Sequence, residues 1–81
     1  MKTSEVIKKL EESKEQFGNI VFETQSSDGI MFCYLRPNAG SLEFLFYDYN
    51  ANKYNHTPIV YLSDDWQLSD RKILLDEMEG L

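Results

Sequence analysis

Residues 20–47, IVFETQSSDGIMFCYLRPNAGSLEFLFY, decide the fold. Three runs rich in β-branched and aromatic residues, 20–25, 30–36 and 42–47, are separated by Ser26-Ser27-Asp28-Gly29 and by Pro37-Asn38-Ala39-Gly40. The runs read as strands. The spacers read as turns, because Gly tolerates positive φ while Asp, Asn and Ser hydrogen-bond their own backbone. Connections this short join antiparallel neighbours, so the stretch predicts a three-stranded meander. Downstream, 48–57 is dense in Asn, and Ile59-Val60-Tyr61-Leu62 predicts a short fourth strand entered through Pro58.

On either side of this sheet the period changes from 2 to 3.6. Val6, Ile7, Leu10 and Phe17 recur at helical spacing over 3–17, with Thr3 or Ser4 as N-cap and Gly18 as the residue that ends the helix. Glu5 with Lys9 and Lys8 with Glu12 form i,i+4 pairs on its solvated side. A second helix is expected after Ser69 or Asp70, with Ile73, Leu74 and Met78 on one stripe and Gly80 as its stop. The 81 residues are too few for two independent cores. The expectation is therefore one α+β domain, 1–81: an N-terminal helix, an antiparallel sheet of three to four strands, and a C-terminal helix.

Eight Lys and Arg against fourteen Asp and Glu leave a formal charge of −6. Lys2, Lys8, Lys9 and Lys14 cancel Glu5, Glu11, Glu12 and Glu15, so the whole excess lies in 19–81. It is densest at the C-terminal end, where Asp64, Asp65, Asp70, Asp76, Glu77 and Glu79 face only Arg71 and Lys72. Nucleic-acid binding draws on a basic stripe, and none is present; an anionic membrane surface is disfavoured for the same reason. No run approaches the length of a membrane span, and no apolar leader with a cleavage site opens the chain. Cys33 is the sole cysteine, so no intrachain disulfide forms, and a cytoplasmic protein is expected. The triplet Asn55-His56-Thr57 spells a glycosylation sequon, but with no secretory route no glycan is expected there.

Strand alternation sorts the sheet residues into two sets. Ile20, Phe22, Met31, Cys33, Leu35, Leu42, Phe44, Phe46, Val60 and Leu62 form an uncharged set, expected to receive Val6, Leu10, Phe17, Ile73, Leu74 and Met78 from the helices. The other set is Val21, Glu23, Ile30, Phe32, Tyr34, Arg36, Glu43, Leu45, Tyr47, Ile59 and Tyr61, aromatic with acids among the rings. With both helices on one side this second face is exposed and marks an interaction site; with one helix or the 48–57 segment folded across it, it is ordinary core.

Catalytic constellations are thin. Cys33 lies mid-strand in the apolar set, the setting of an inert small hydrophobe. His56 is the only imidazole, and without a second His or Cys no ordinary zinc site forms within one chain. Asp48-Tyr49-Asn50-Ala51-Asn52 matches the first five positions of an EF-hand loop, but Lys53 stands where Gly is needed and Ile59 where the bidentate Glu is needed. Asp64-Asp65 reads as a solvated loop or cap before it reads as an acid–base pair. No phosphate loop, nucleophile triad or HExxH occurs, so no enzyme, metal or cofactor is expected.

Ser4-Glu5-Val6-Ile7-Lys8-Lys9-Leu10, then Gly18-Asn19-Ile20-Val21-Phe22, and Ile59-Val60-Tyr61-Leu62 near the end together resemble small phage- and prophage-encoded α+β proteins. Those proteins open with an SE-[LIV]-I-x-x-L helix followed by a G-[DN]-x-x-V strand. The likeness covers about a third of the chain, and the proline usual between positions 20 and 21 is missing. It implies a mobile-element origin and, by analogy, a small acidic protein that blocks a host protein.

These readings converge on a non-enzymatic protein-interaction module. Its expected anchors are Phe32, Tyr34, Tyr47 and Tyr61, with Glu23, Glu43 and the acidic C-terminal residues steering it onto a basic partner. The alternatives are a homodimer that pairs its aromatic faces, and a small-ligand binder that uses 48–57 as a lid.

Overall fold

The computed structural model describes residues 1–12, 20–36, 40–57 and 60–69. One helix, α1 (Thr3–Glu12), precedes five strands: β1 (Val21–Gln25), β2 (Gly29–Leu35), β3 (Leu42–Asp48), β4 (Lys53–Thr57) and β5 (Gln67–Leu68). They form one antiparallel sheet in the order β4-β3-β2-β1-β5. The meander predicted from 20–47 is its centre, in the register Phe22–Cys33–Phe44 and Thr24–Met31–Phe46. The C-terminal helix expected after Ser69, with Asp70, Asp76, Glu77 and Glu79, lies outside the described residues, as do Phe17 and Gly18.

The start of α1 differs from expectation. Lys2, and neither Thr3 nor Ser4, is its N-cap: the Lys2 carbonyl accepts from Val6 N at 3.1 Å, and Glu5 Oε1 reaches back to Lys2 N at 3.2 Å. This is the returning half of a capping box. It leaves the Thr3 hydroxyl to turn inward, where it bonds to residues 61–66.

The fourth strand also differs. Lys53–Thr57 pairs with β3, whereas 60–62 carry no strand. The reason lies in the β3–β4 loop. Asp48 Oδ1 accepts from Asn50 N at 2.8 Å and Ala51 N at 3.2 Å, and Asn52 takes φ +54° while its N–H closes onto the Asp48 carbonyl at 2.8 Å. Asn is one of the few residues that adopts this left-handed conformation cheaply. The chain thus reverses within four residues and sets Tyr54 opposite Tyr47, ring centroids 4.8 Å apart. Cross-strand aromatic pairing offsets the weak β propensity of KYNHT.

Both sheet faces are buried. On one, Val6 and Leu10 of α1 pack with Phe22, Met31, Cys33, Leu35, Phe44 and Trp66. On the other, Val21, Ile30, Phe32, Tyr34 and Leu45 form a second cluster, joined by Tyr47 and Tyr54. Every residue of β2 is buried, as befits the central strand. Of the uncharged set, Val60 and Leu62 are exposed instead of inward. They belong to residues 60–66, which run from the β4 side of the sheet to β5 at its far edge and cross the α1-bearing face as a strap.

Candidate interaction surface

The strap is fastened from below by one hydroxyl. Thr3 Oγ1 accepts from Trp66 Nε1 at 2.8 Å and from Ser63 N at 2.9 Å, and donates to the Tyr61 carbonyl at 2.8 Å. Thr3 N donates to the Ser63 carbonyl at 3.0 Å, and Ser63 Oγ meets Thr24 Oγ1 at 3.0 Å on β1. Met1 and Trp66 exchange two further bonds, Met1 N to the Trp66 carbonyl at 2.9 Å and Trp66 N to the Met1 carbonyl at 3.0 Å. The Trp66 indole is 2% exposed, edge-on to Phe44 below and to Tyr61 beside it. With its backbone so pinned, the strap presents Val60 (48% exposed), Tyr61 (37%) and Leu62 (80%) outward, followed by exposed Asp64 and Asp65.

Five of the six contact residues expected from the sequence share one sheet face, with Glu23 opposite Phe32 and Glu43 opposite Tyr34, but that face is not open. Phe32 and Tyr34 are 0% exposed and unavailable to a partner, which corrects the reading of their face as an open surface. An anchor must meet solvent before it meets a partner, and a central strand covered on both sides leaves none that does. Tyr47 is half-buried, its hydroxyl donating to Asn52 Oδ1 within its own hairpin. Glu23 accepts from Ser69 Oγ at 2.6 Å; Glu43 accepts from Ser41 Oγ at 3.3 Å and faces Arg36 at 3.9 Å. Tyr61, 37% exposed, is the most open of the six, and it stands on the α1-bearing side, away from the other five.

Two signals in the sequence pointed this way. The unbroken apolar run Ile30 to Leu35 is the mark of a strand buried on both faces, since a half-exposed strand alternates. Trp66, a lone large aromatic amid Asp64, Asp65 and Gln67, is conspicuous enough to be a core anchor. Comparison with known protein families, with curated proteins and with solved structures finds no match.

The chemistry of the remaining candidates is readable from their surroundings. The Asp48 carboxylate caps its own turn, so the calcium-like pentapeptide is a hairpin device. His56 is exposed on β4 opposite Leu45. Among the described residues no three of His, Cys, Asp and Glu lie close enough to share a metal, and no helix is long and apolar enough to cross a membrane. Burial pushes the Cys33 thiol up to about 12 by desolvating the thiolate. The folded chain therefore keeps a proton that the unfolded chain releases near pH 8.5. Stability from this source is complete below about pH 8.5 and is lost as pH rises towards about 12. Native protein at pH 8 is expected to resist a thiol-specific disulfide reagent that labels the urea-unfolded chain at once. Equal labelling rates for the two would refute the sealed thiol. Cys33→Ala should flatten the alkaline loss of stability.

Proposed function

We propose that the protein is a non-enzymatic interaction module that docks a basic protein partner through the strap, residues 60–65. The observation that carries this reading is the exposure of three consecutive apolar side chains, Val60, Tyr61 and Leu62, on a backbone tied down by Thr3 and Ser63. Exposed apolar residues scattered singly are ordinary; a run of them on a rigid segment is a contact surface. Rigidity matters because a partner need not supply the entropy of ordering the segment. Asp64 and Asp65, exposed beside it, and the net charge of −6 favour a basic surface and speed its approach. The sealed thiol of Cys33 and the self-capping Asp48 support a binding role over a catalytic one. A lone reduced cysteine suits the cytoplasm, and the phage-like opening motifs extend the reading to an inhibitor of a host protein.

The test is a double variant, Val60→Asp with Leu62→Asp, in immobilised protein presented to cytoplasmic extract. Both side chains are exposed, so stability should stay within about 0.5 kcal/mol of wild type. The proteins retained by the wild-type chain should be lost. Asp64→Asn with Asp65→Asn should slow association and weaken its salt dependence without abolishing capture. Retention of the same proteins by the double variant would refute the strap as the docking segment. Light scattering adds a control: a mass twice the 9.5 kDa of the chain that reverts in the double variant would make the occupant a second copy.

A further inference from the structure

Beside the strap, on the side away from α1, the same sheet face opens into a groove of about 380 Å³. Its floor is Met31 and Phe46, directly opposed in the β2–β3 register. Asn55, opposed to Phe46 in turn, and Thr57 form the β4 side; Tyr61 of the strap is one wall, and Asp28 of the β1–β2 turn closes the end. The volume lies at the lower end of what binding sites offer, enough for one long side chain.

The lining is apolar and aromatic below, polar along β4 through Asn55, His56 and Thr57, and acidic at the end where Asp28 stands beside Ser26, with no Lys or Arg among its described residues. Lys53 stands one row beyond, opposite Asp48, and takes no part in the lining. The Asp28 backbone is fixed on both sides: its N–H donates to Ser26 Oγ at 3.3 Å, and its carbonyl accepts from Tyr49 N at 3.0 Å. Its carboxylate makes no hydrogen bond or ion pair among the described residues. The groove thus offers an anionic acceptor, carried on a fixed stretch of backbone, at the end of an aromatic trough.

We infer that this groove receives an arginine side chain of the partner. The inference rests on the interaction reading above and gives the partner its chemistry. Arginine fits the apolar floor, the aromatic wall and the acidic end of the groove. Its methylene stem lies along Met31 and Phe46, as long charged side chains do on apolar surfaces. Its planar guanidinium stacks on an aromatic ring and forks onto a carboxylate with two parallel hydrogen bonds, here Tyr61 and Asp28. Lysine has the stem but lacks the plane, so it is held less well. Tyr61 belongs to both groove and strap, which makes the two a single surface.

The experiment is an NMR titration of the full chain with acetyl-arginine methylamide, its neutral isostere acetyl-citrulline methylamide, and acetyl-lysine methylamide carrying a free side-chain amine. Arginine should produce saturable shifts confined to 28–31, 46, 55–57 and 61. Citrulline should produce none there, and lysine should bind more weakly. Asp28→Asn keeps both backbone bonds and should fold as wild type, yet weaken arginine binding about tenfold, the loss expected for one charged hydrogen-bond partner. Absence of saturable shifts at these residues, equal binding of citrulline, or lysine bound as tightly as arginine would each overturn the assignment. Leu62→Asp separates the two readings, since it removes strap docking and leaves the arginine shifts in place.

Discussion

Thr3→Val is expected to cost about 3 kcal/mol, lowering the melting temperature of a domain this size by roughly 15 °C. Valine matches threonine in shape, so little packing is lost. What disappears is the acceptor for two N–H groups, the Trp66 indole at 2.8 Å and the Ser63 amide at 2.9 Å. Leaving a buried donor unpaired costs about 1–3 kcal/mol each, far more than the bond was worth net. An 81-residue domain has only about 4–12 kcal/mol of stability in total, so the loss is a large share. Trp66→Ala should do at least as much harm through the cavity left against Phe44, Tyr61 and α1, about 3–5 kcal/mol. The pairing is testable by a cycle. Trp66→Phe removes the indole N–H, so in its presence Thr3→Val should cost clearly less than alone. Urea melts followed by far-ultraviolet circular dichroism read all four proteins. A Thr3→Val midpoint equal to wild type would show that the hydroxyl does not hold the strap.

Gly29→Ala carries the second large effect, expected to exceed about 3 kcal/mol or to prevent folding, because the added atom has nowhere to go. A Cβ at position 29 would lie 1.9 Å from the Tyr47 carbonyl oxygen and 2.7 and 2.9 Å from two ring carbons of Phe46. The ring could swing aside; the backbone oxygen belongs to β3, whose Asp48 is registered on Gly29, and it moves only if the β2–β3 ladder shifts. The contrast with Gly40 isolates the cause. Gly40 has φ +70°, so Gly40→Ala meets conformational strain of about 1 kcal/mol. Melting both variants should therefore rank Gly29→Ala well below Gly40→Ala. A Gly29→Ala protein as stable as wild type would mean that the strands do not approach this closely. Since Phe46 floors the groove, the same variant, where it folds, should also disturb arginine binding.

Much of this molecule was legible in the amino-acid sequence. Residues 20–47 determined three antiparallel strands, because β-forming runs joined by short turns of Gly, Asp, Asn and Pro leave no other pairing. The same alternation separated Phe22, Met31, Cys33, Leu35, Phe44 and Phe46 from Val21, Phe32, Tyr34 and Leu45, a partition matched by the two core clusters. The helical spacing of Val6 and Leu10 determined the buried stripe of α1.

Tertiary structure decided the rest. Ile59-Val60-Tyr61-Leu62 has the propensity of a strand, but the hairpin closed by Asp48 and Asn52 had already placed the polar KYNHT beside β3. Residues 60–62 became part of a strap held by bonds to Thr3, which lies sixty residues before Ser63 in sequence. Phe32 and Tyr34 passed from proposed anchors to core for a similar reason: alternation says which residues share a face, but not whether that face is covered. Local preference acts over a few residues and sets strand, turn and helix; the choice of which β-prone segment joins the sheet, and which aromatic reaches water, depends on contacts formed only when distant parts of the chain meet.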